Sequence, residues 1–131
     1  MKVETVDYQA ADASETLARS LRDTGFAVLA NHPVTPERIA AIYDGWGAFF
    51  AGEDKFGFAV QPPAHDGYFA FRSENAKDSP VKDLKEFFHV YPGCQLPDTL
   101  EAMTRGIYAD LESLGRELLD WIQAEAPASV T

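Results

Sequence analysis

Apolar side chains recur at helical steps in three stretches of the chain, with short apolar runs and loops between them. Val3 and Val6 suggest a short opening strand. Asp12 followed by Glu15 has the spacing of a capping box, and Leu17, Ala18 and Leu21 form the buried stripe of the helix it would open. Gly25 suits the left-handed position just past that helix. The run Phe26 to Ala30 is too short for a helix and is bounded by Gly25 and by Asn31-His32-Pro33, which predicts a strand buried on both faces. Thr35 with Pro36 is a second helix start, and Ile39, Ile42, Tyr43, Trp46, Phe49 and Phe50 then give one strongly apolar face as far as Gly52.

Residues 53–97 change character. Aromatic residues crowd together and Pro62-Pro63, Gly67, Pro80 and Pro92-Gly93 punctuate them, as expected of strands and loops. The strand candidates are Phe56 to Val60, Gly67 to Phe71 and Glu86 to Tyr91; being short and far apart in sequence, they are expected to pair with something outside themselves. From Asp98, again three residues before an acid, a long helix is expected to reach about Ala124, with Leu100, Met103, Ile107, Leu111, Leu114, Leu118, Trp121 and Ile122 on one side and Pro127 beyond its end. The layout is therefore strand-helix-strand-helix over 1–52, strands and loops over 53–97, and a long helix over 98–125, within one α+β domain of 131 residues.

Charge removes several classes of function. With 21 acidic against 11 basic side chains the net charge is −10, and the field repels nucleic-acid phosphates and anionic membrane surfaces. Seven acids and two bases fall in residues 98–125; the segment from Arg72 to Lys85, with Arg72, Lys77, Lys82 and Lys85 against Glu74, Asp78 and Asp83, is a small basic island. Cys94 is the only cysteine, which excludes an internal disulfide and a cysteine-built zinc site, and makes the cytoplasm the default location. The first residues lack the basic start and apolar stretch of a secretion signal, and no apolar run approaches a membrane span.

Three local signatures, in order, carry a resemblance. Gly25-Phe26, an apolar strand and Asn31-His32-Pro33-Val34 form the first; Phe49-Phe50, an acid and Lys55 form the second; Gly67-Tyr68 with Asp83-Leu84-Lys85-Glu86-Phe87-Phe88 form the third. Together they resemble the N-terminal region of isopenicillin N synthase-like Fe(II)/2-oxoglutarate-dependent dioxygenases. The resemblance implies helices and short strands packed on a double-stranded β-helix, or jelly-roll, core, most of it outside this chain. It also implies Fe(II) held by two His and one carboxylate, with open positions for 2-oxoglutarate and dioxygen. The family's His-x-Asp pair is not found here: His32 precedes Pro33-Val34, His65 precedes Asp66-Gly67 and His89 precedes Val90-Tyr91. No catalytic or metal-ligating residue is therefore expected in this chain, and neither iron nor 2-oxoglutarate should bind to it alone. The resemblance makes it the supporting half of an oxidoreductase that hydroxylates, desaturates or cyclises a small molecule, with the C-terminal jelly-roll half as its partner.

Single residues are read against plainer roles. His32, before a proline at a strand end, is expected to be a hydrogen-bonded fold residue, and His65, between prolines and Gly67, an exposed loop residue. On a strand from Glu86 to Tyr91, Phe87, His89 and Tyr91 share one face and Glu86, Phe88 and Val90 the other. His89 then either touches substrate or stands as a packed or capped surface histidine. Tyr68, Arg72 and Lys85 flank segments that in the family approach the mouth of the active site, where a cation could hold a substrate carboxylate. The alternative for these cations is an ordinary surface ion pair with Asp83 or Glu86. Two rival classes stay open. One is a complete, non-catalytic acidic interaction module; the other is a small metal protein using His32, His65 and His89, whose spacings of 33 and 24 residues fit no common ligand pattern.

Overall fold

The structure is a computed structural model, and it describes residues 2–75 and 80–127. Lys77 and Asp78 of the basic island lie outside the described residues. Along the chain run β1 (Thr5–Asp7), α1 (Ala13–Thr24), β2 (Val28–Ala30), α2 (Pro36–Ala51), a 3-10 turn (Asp54–Phe58), β3 (Gly67–Phe69), β4 (Phe87–His89) and α3 (Asp98–Ala124). Mixed helices and short strands, without a closed barrel among the described residues, make this an α+β arrangement. Two compact units divide the chain, Met1–Ile39 with Arg105–Thr131, and Ala40–Thr104.

In the first unit, β1 and β2 pair in parallel, with Thr5 opposite Val28, Val6 opposite Leu29 and Asp7 opposite Ala30. Alternation turns Val6 inward, where it is 1% exposed beside Ala13 and Leu17 of α1, with Leu21, Ala27, Leu29, Leu118 and Trp121 packed around them. Helix α1 stops at Gly25, whose φ of 79° lets its N–H reach the Leu21 carbonyl at 2.8 Å, a conformation that costs glycine nothing. Asp12 does precede the helix, but its side chain makes no capping hydrogen bond, so the expected box does not close. Instead the buried Ser20 hydroxyl, donating to the Phe26 carbonyl at 2.7 Å and accepting from the Glu4 N–H at 3.0 Å, ties the helix to both strands. Arg19 grips the Glu4 carboxylate through two 2.9 Å bonds.

The strand expected over Phe26 to Ala30 shrinks to its last three residues and is not buried on both faces. Phe26 is 69% and Val28 54% exposed. Parallel pairs are ordinarily covered on both sides; here the described residues cover one.

Helix α2 begins at Pro36, with Thr35 Oγ1 3.4 Å from the Arg38 N–H, and in the second unit it brings Trp46, Phe49 and Phe50 to a common face. Tyr43, expected on that face, is 76% exposed. The strand expected over Phe56 to Val60 is replaced by the 3-10 turn, with only a bridge between Ala59 and Tyr68. The strands expected to pair outside themselves instead pair with each other: β3 and β4 are antiparallel, with Gly67 opposite His89, Tyr68 opposite Phe88 and Phe69 opposite Phe87. Gly67 makes the approach possible, since at φ 106° an added Cβ would lie 2.7 Å from the Phe58 carbonyl oxygen.

Helix α3 matches its expected bounds, but Leu111 and Ile122 of its apolar stripe are exposed, as is Leu119. Raw hydrophobic surface is thus left on this helix.

Candidate functional site

Tyr68, Glu86 and Lys55 meet beneath the β3–β4 ribbon. Tyr68 is 2% exposed, and its hydroxyl donates to Glu86 Oε2 at 2.6 Å. Lys55 Nζ donates to the same oxygen at 3.0 Å and to the Phe50 carbonyl at 2.6 Å, so one ammonium both neutralises the carboxylate and closes the C-terminal end of α2. The rings of Phe56 and Tyr68 lie 5.6 and 5.7 Å from that ammonium. Around the polar cluster, Trp46, Phe49, Phe50, Phe58 and Phe88 form a network of edge-on and tilted rings, and Trp46 Nε1 donates to Thr104 Oγ1 at 3.1 Å.

These contacts set the titration of the group. The Tyr68 hydroxyl, and after it the Lys55 ammonium, hold the Glu86 carboxyl below its ordinary range. Burial first, and the neighbouring carboxylate second, push the Tyr68 phenol up. The Glu86 hydrogen bond raises Lys55. All three groups therefore keep their neutral-pH forms firmly, which suits a fixed support rather than a proton-transfer site.

The residues expected to meet substrate are divided by this geometry. Tyr68 points into the unit and is engaged by Glu86. His89 stands on the opposite, outer face of the ribbon, exposed, with its ring 4.9 Å from Phe69 and 4.7 Å from Phe87 and with Nδ1 3.1 Å from the His65 carbonyl oxygen. Lys85 lies 3.3 Å from Asp83 and 3.6 Å from Glu74, with Nζ 5.0 Å from the Phe87 ring. Arg72, at φ 62°, folds its guanidinium back over the Phe71 ring at 5.4 Å. His65 is exposed, as expected. The hydrogen-bonded role expected of His32 fails at Nδ1, which is buried without a partner among the described residues.

Lys55 and Glu86 were not among the expected site residues. The available signal was that both are the polar members of the motifs Phe49-Phe50…Lys55 and Asp83 to Phe88. Strand parity also places Glu86 on the face opposite Phe87 and His89.

Residues 3–107 match the family model described as non-haem dioxygenase in morphine synthesis, N-terminal. The chain belongs to this dioxygenase N-terminal family. Phe50 and Lys55 of the second motif and Tyr68 and Glu86 of the third are the ones that converge, which gives that part of the match a physical basis. Among solved structures, a proposed oxygenase from Shewanella oneidensis is similar to the chain at 43% identity and a TM-score of 0.88, over 99% of this chain and 45% of that one. A proposed 2OG-Fe(II) oxygenase family protein from Caulobacter crescentus is similar at 27% identity and a TM-score of 0.71, over 93% of this chain and 48% of that one. The dioxygenase N-terminal chain thus spans about half the length of these two structures. No curated protein matches it.

Such oxygenases imply iron and 2-oxoglutarate. The residues described here do not fit the metal: no group of three or more His, Cys, Asp or Glu side chains among them could hold it. No described helix is long and apolar enough to cross a membrane.

Proposed function

We propose that this chain is the N-terminal part of an Fe(II)- and 2-oxoglutarate-dependent oxygenase that hydroxylates, desaturates or cyclises a small molecule. The iron ligands and the jelly-roll core belong to polypeptide outside these 131 residues, and the chain by itself is inert. The observation that carries the reading is the family match over residues 3–107, joined to alignments that use nearly all of this chain and less than half of each similar structure. The exposed Leu111 and Leu119 and the uncovered face of the β1–β2 pair are surfaces for that further polypeptide. A single cysteine suits a reducing, cytoplasmic setting.

In this reading the layout is a single N-terminal region over 1–131, and the β3–β4 ribbon is its contribution to the substrate entrance. The Tyr68–Glu86–Lys55 cluster holds the ribbon, and His89, Lys85 and Arg72 are its outward residues. The test is to extend the coding region beyond Thr131 and measure conversion of 2-oxoglutarate to succinate with ferrous iron. Turnover by the longer protein and none by this chain is the expected result. A longer protein that binds no iron and consumes no 2-oxoglutarate refutes the proposal.

A further inference from the structure

The outer face of the β3–β4 ribbon has a chemistry of its own. Phe69 and Phe87, directly opposite each other, stack with centroids 4.6 Å apart and planes 11° from parallel, and His89 leans on both. Tyr91, 51% exposed, continues the row, its ring T-shaped to His89 at 6.2 Å. None of these side chains closes the unit beneath, because Tyr68 and Phe88 do so from the other face. The row is an outward-facing aromatic wall in which Phe69 and Phe87 stack on each other and His89 is tilted to both.

The polar groups along this wall are specific. The His65 carbonyl can only accept, so the 3.1 Å contact requires the hydrogen on His89 Nδ1. Whenever the ring is uncharged, that hydrogen placement leaves Nε2 as an acceptor on an exposed side chain. Two cations of the adjoining segments are engaged: Lys85, with Nζ 5.0 Å from the Phe87 ring, lies within ion-pair distance of both Glu74 and Asp83, and Arg72 is folded on Phe71. With a net charge of −10 on the chain as well, the wall gives a carboxylate or phosphate no preferred seat.

We infer that the ribbon's outer face recognises an uncharged planar ring bearing an O–H or N–H donor, the ring packing on Phe69 and Phe87 and the donor reaching His89 Nε2. This deepens the reading of the ribbon as part of a substrate entrance and rests on it. It replaces the substrate carboxylate that Arg72 and Lys85 suggested from sequence.

Three probes decide the point: 2-naphthol, 2-methoxynaphthalene, which has the same rings and no donor, and 2-naphthoate. Each is titrated into the protein and followed by the imidazole NMR signals of His89 and by probe fluorescence. The expected order is 2-naphthol tightest, with the methoxy compound about three- to tenfold weaker, as one neutral hydrogen bond provides. His89→Phe keeps the aromatic surface and should bring 2-naphthol down to the level of its methoxy twin. Phe87→Leu should weaken both equally and leave their ratio unchanged. Equal binding of 2-naphthol and 2-methoxynaphthalene, a ratio unaltered by His89→Phe, tighter binding of 2-naphthoate, or no saturable binding of any probe overturns the inference. If the longer protein turns over 2-oxoglutarate and the naphthol preference is missing, only this inference falls; if turnover is missing, the reading beneath it falls too.

Discussion

Replacing Tyr68 by Phe removes one oxygen from the centre of the second unit and tests its electrostatics directly. The lost bond is short, 2.6 Å, and its acceptor is a carboxylate. Hydrogen bonds to charged groups contribute about 1.5–3 kcal/mol, and because the Glu86 side chain keeps 28% exposure and a second donor in Lys55, water can repair part of the loss. The expected cost is therefore at the low end, about 1.5 kcal/mol, which for a chain of this length corresponds to a fall in Tm of ~5 °C. Thermal unfolding followed by far-UV circular dichroism, with urea titration as a cross-check, measures it.

The same substitution carries a pH signature. Glu86 is depressed in the folded state chiefly by Tyr68, so its contribution is present above the ordinary carboxyl pKa and lost as pH falls through the lower folded value. The gap between the two proteins should be full at pH 7 and narrow in acid, and Tyr68→Phe should show the shallower acid dependence. A Tm change below 1 °C at pH 7, or an equal change at pH 7 and in acid, refutes the reasoning.

Gly67→Ala should lower stability by about 1–3 kcal/mol from backbone strain alone, and by more from the clash with the Phe58 carbonyl. Gly57→Ala, whose new Cβ meets nothing within 4 Å, should stay close to the parent in the same urea titration. Leu17→Ala should cost about 2–5 kcal/mol, since Leu17 is 4% exposed in the core of the first unit; a loss under 1 kcal/mol would contradict that packing. Ser20→Ala strands the Glu4 N–H, while the Phe26 carbonyl keeps the Thr24 hydroxyl at 2.9 Å, and should cost about 1–3 kcal/mol in equilibrium unfolding. Leu119→Lys, at a site 66% exposed, should leave the melting of this chain unchanged and weaken its association with a separately expressed downstream half, measured by pull-down or calorimetry.

Local chemistry was legible in the residues themselves. Thr35-Pro36 opens α2, Gly25 closes α1, and α3 runs from Asp98 to Ala124 short of Pro127, because caps, proline and left-handed glycine act on neighbours in sequence. The motif residues Gly67-Tyr68, Glu86 and Lys55 could also be picked out and matched to a dioxygenase N-terminal region before any contact was known. Their meeting could not be, since Lys55 and Glu86 are 31 residues apart and Tyr68 and Glu86 are 18 apart. Phe56 and Phe58 show the same limit: their alternation reads as a strand, yet tertiary packing sets them in a 3-10 turn against Tyr68 and the aromatic network.

The β3–β4 pairing likewise was decided by folding, which turned Tyr68 inward, His89 outward and Lys85 toward two acids. Periodicity tells which side chains share a face, but not which face is covered. That depends on groups brought together across long loops, whose burial and counter-charges exist only once the chain has closed on itself.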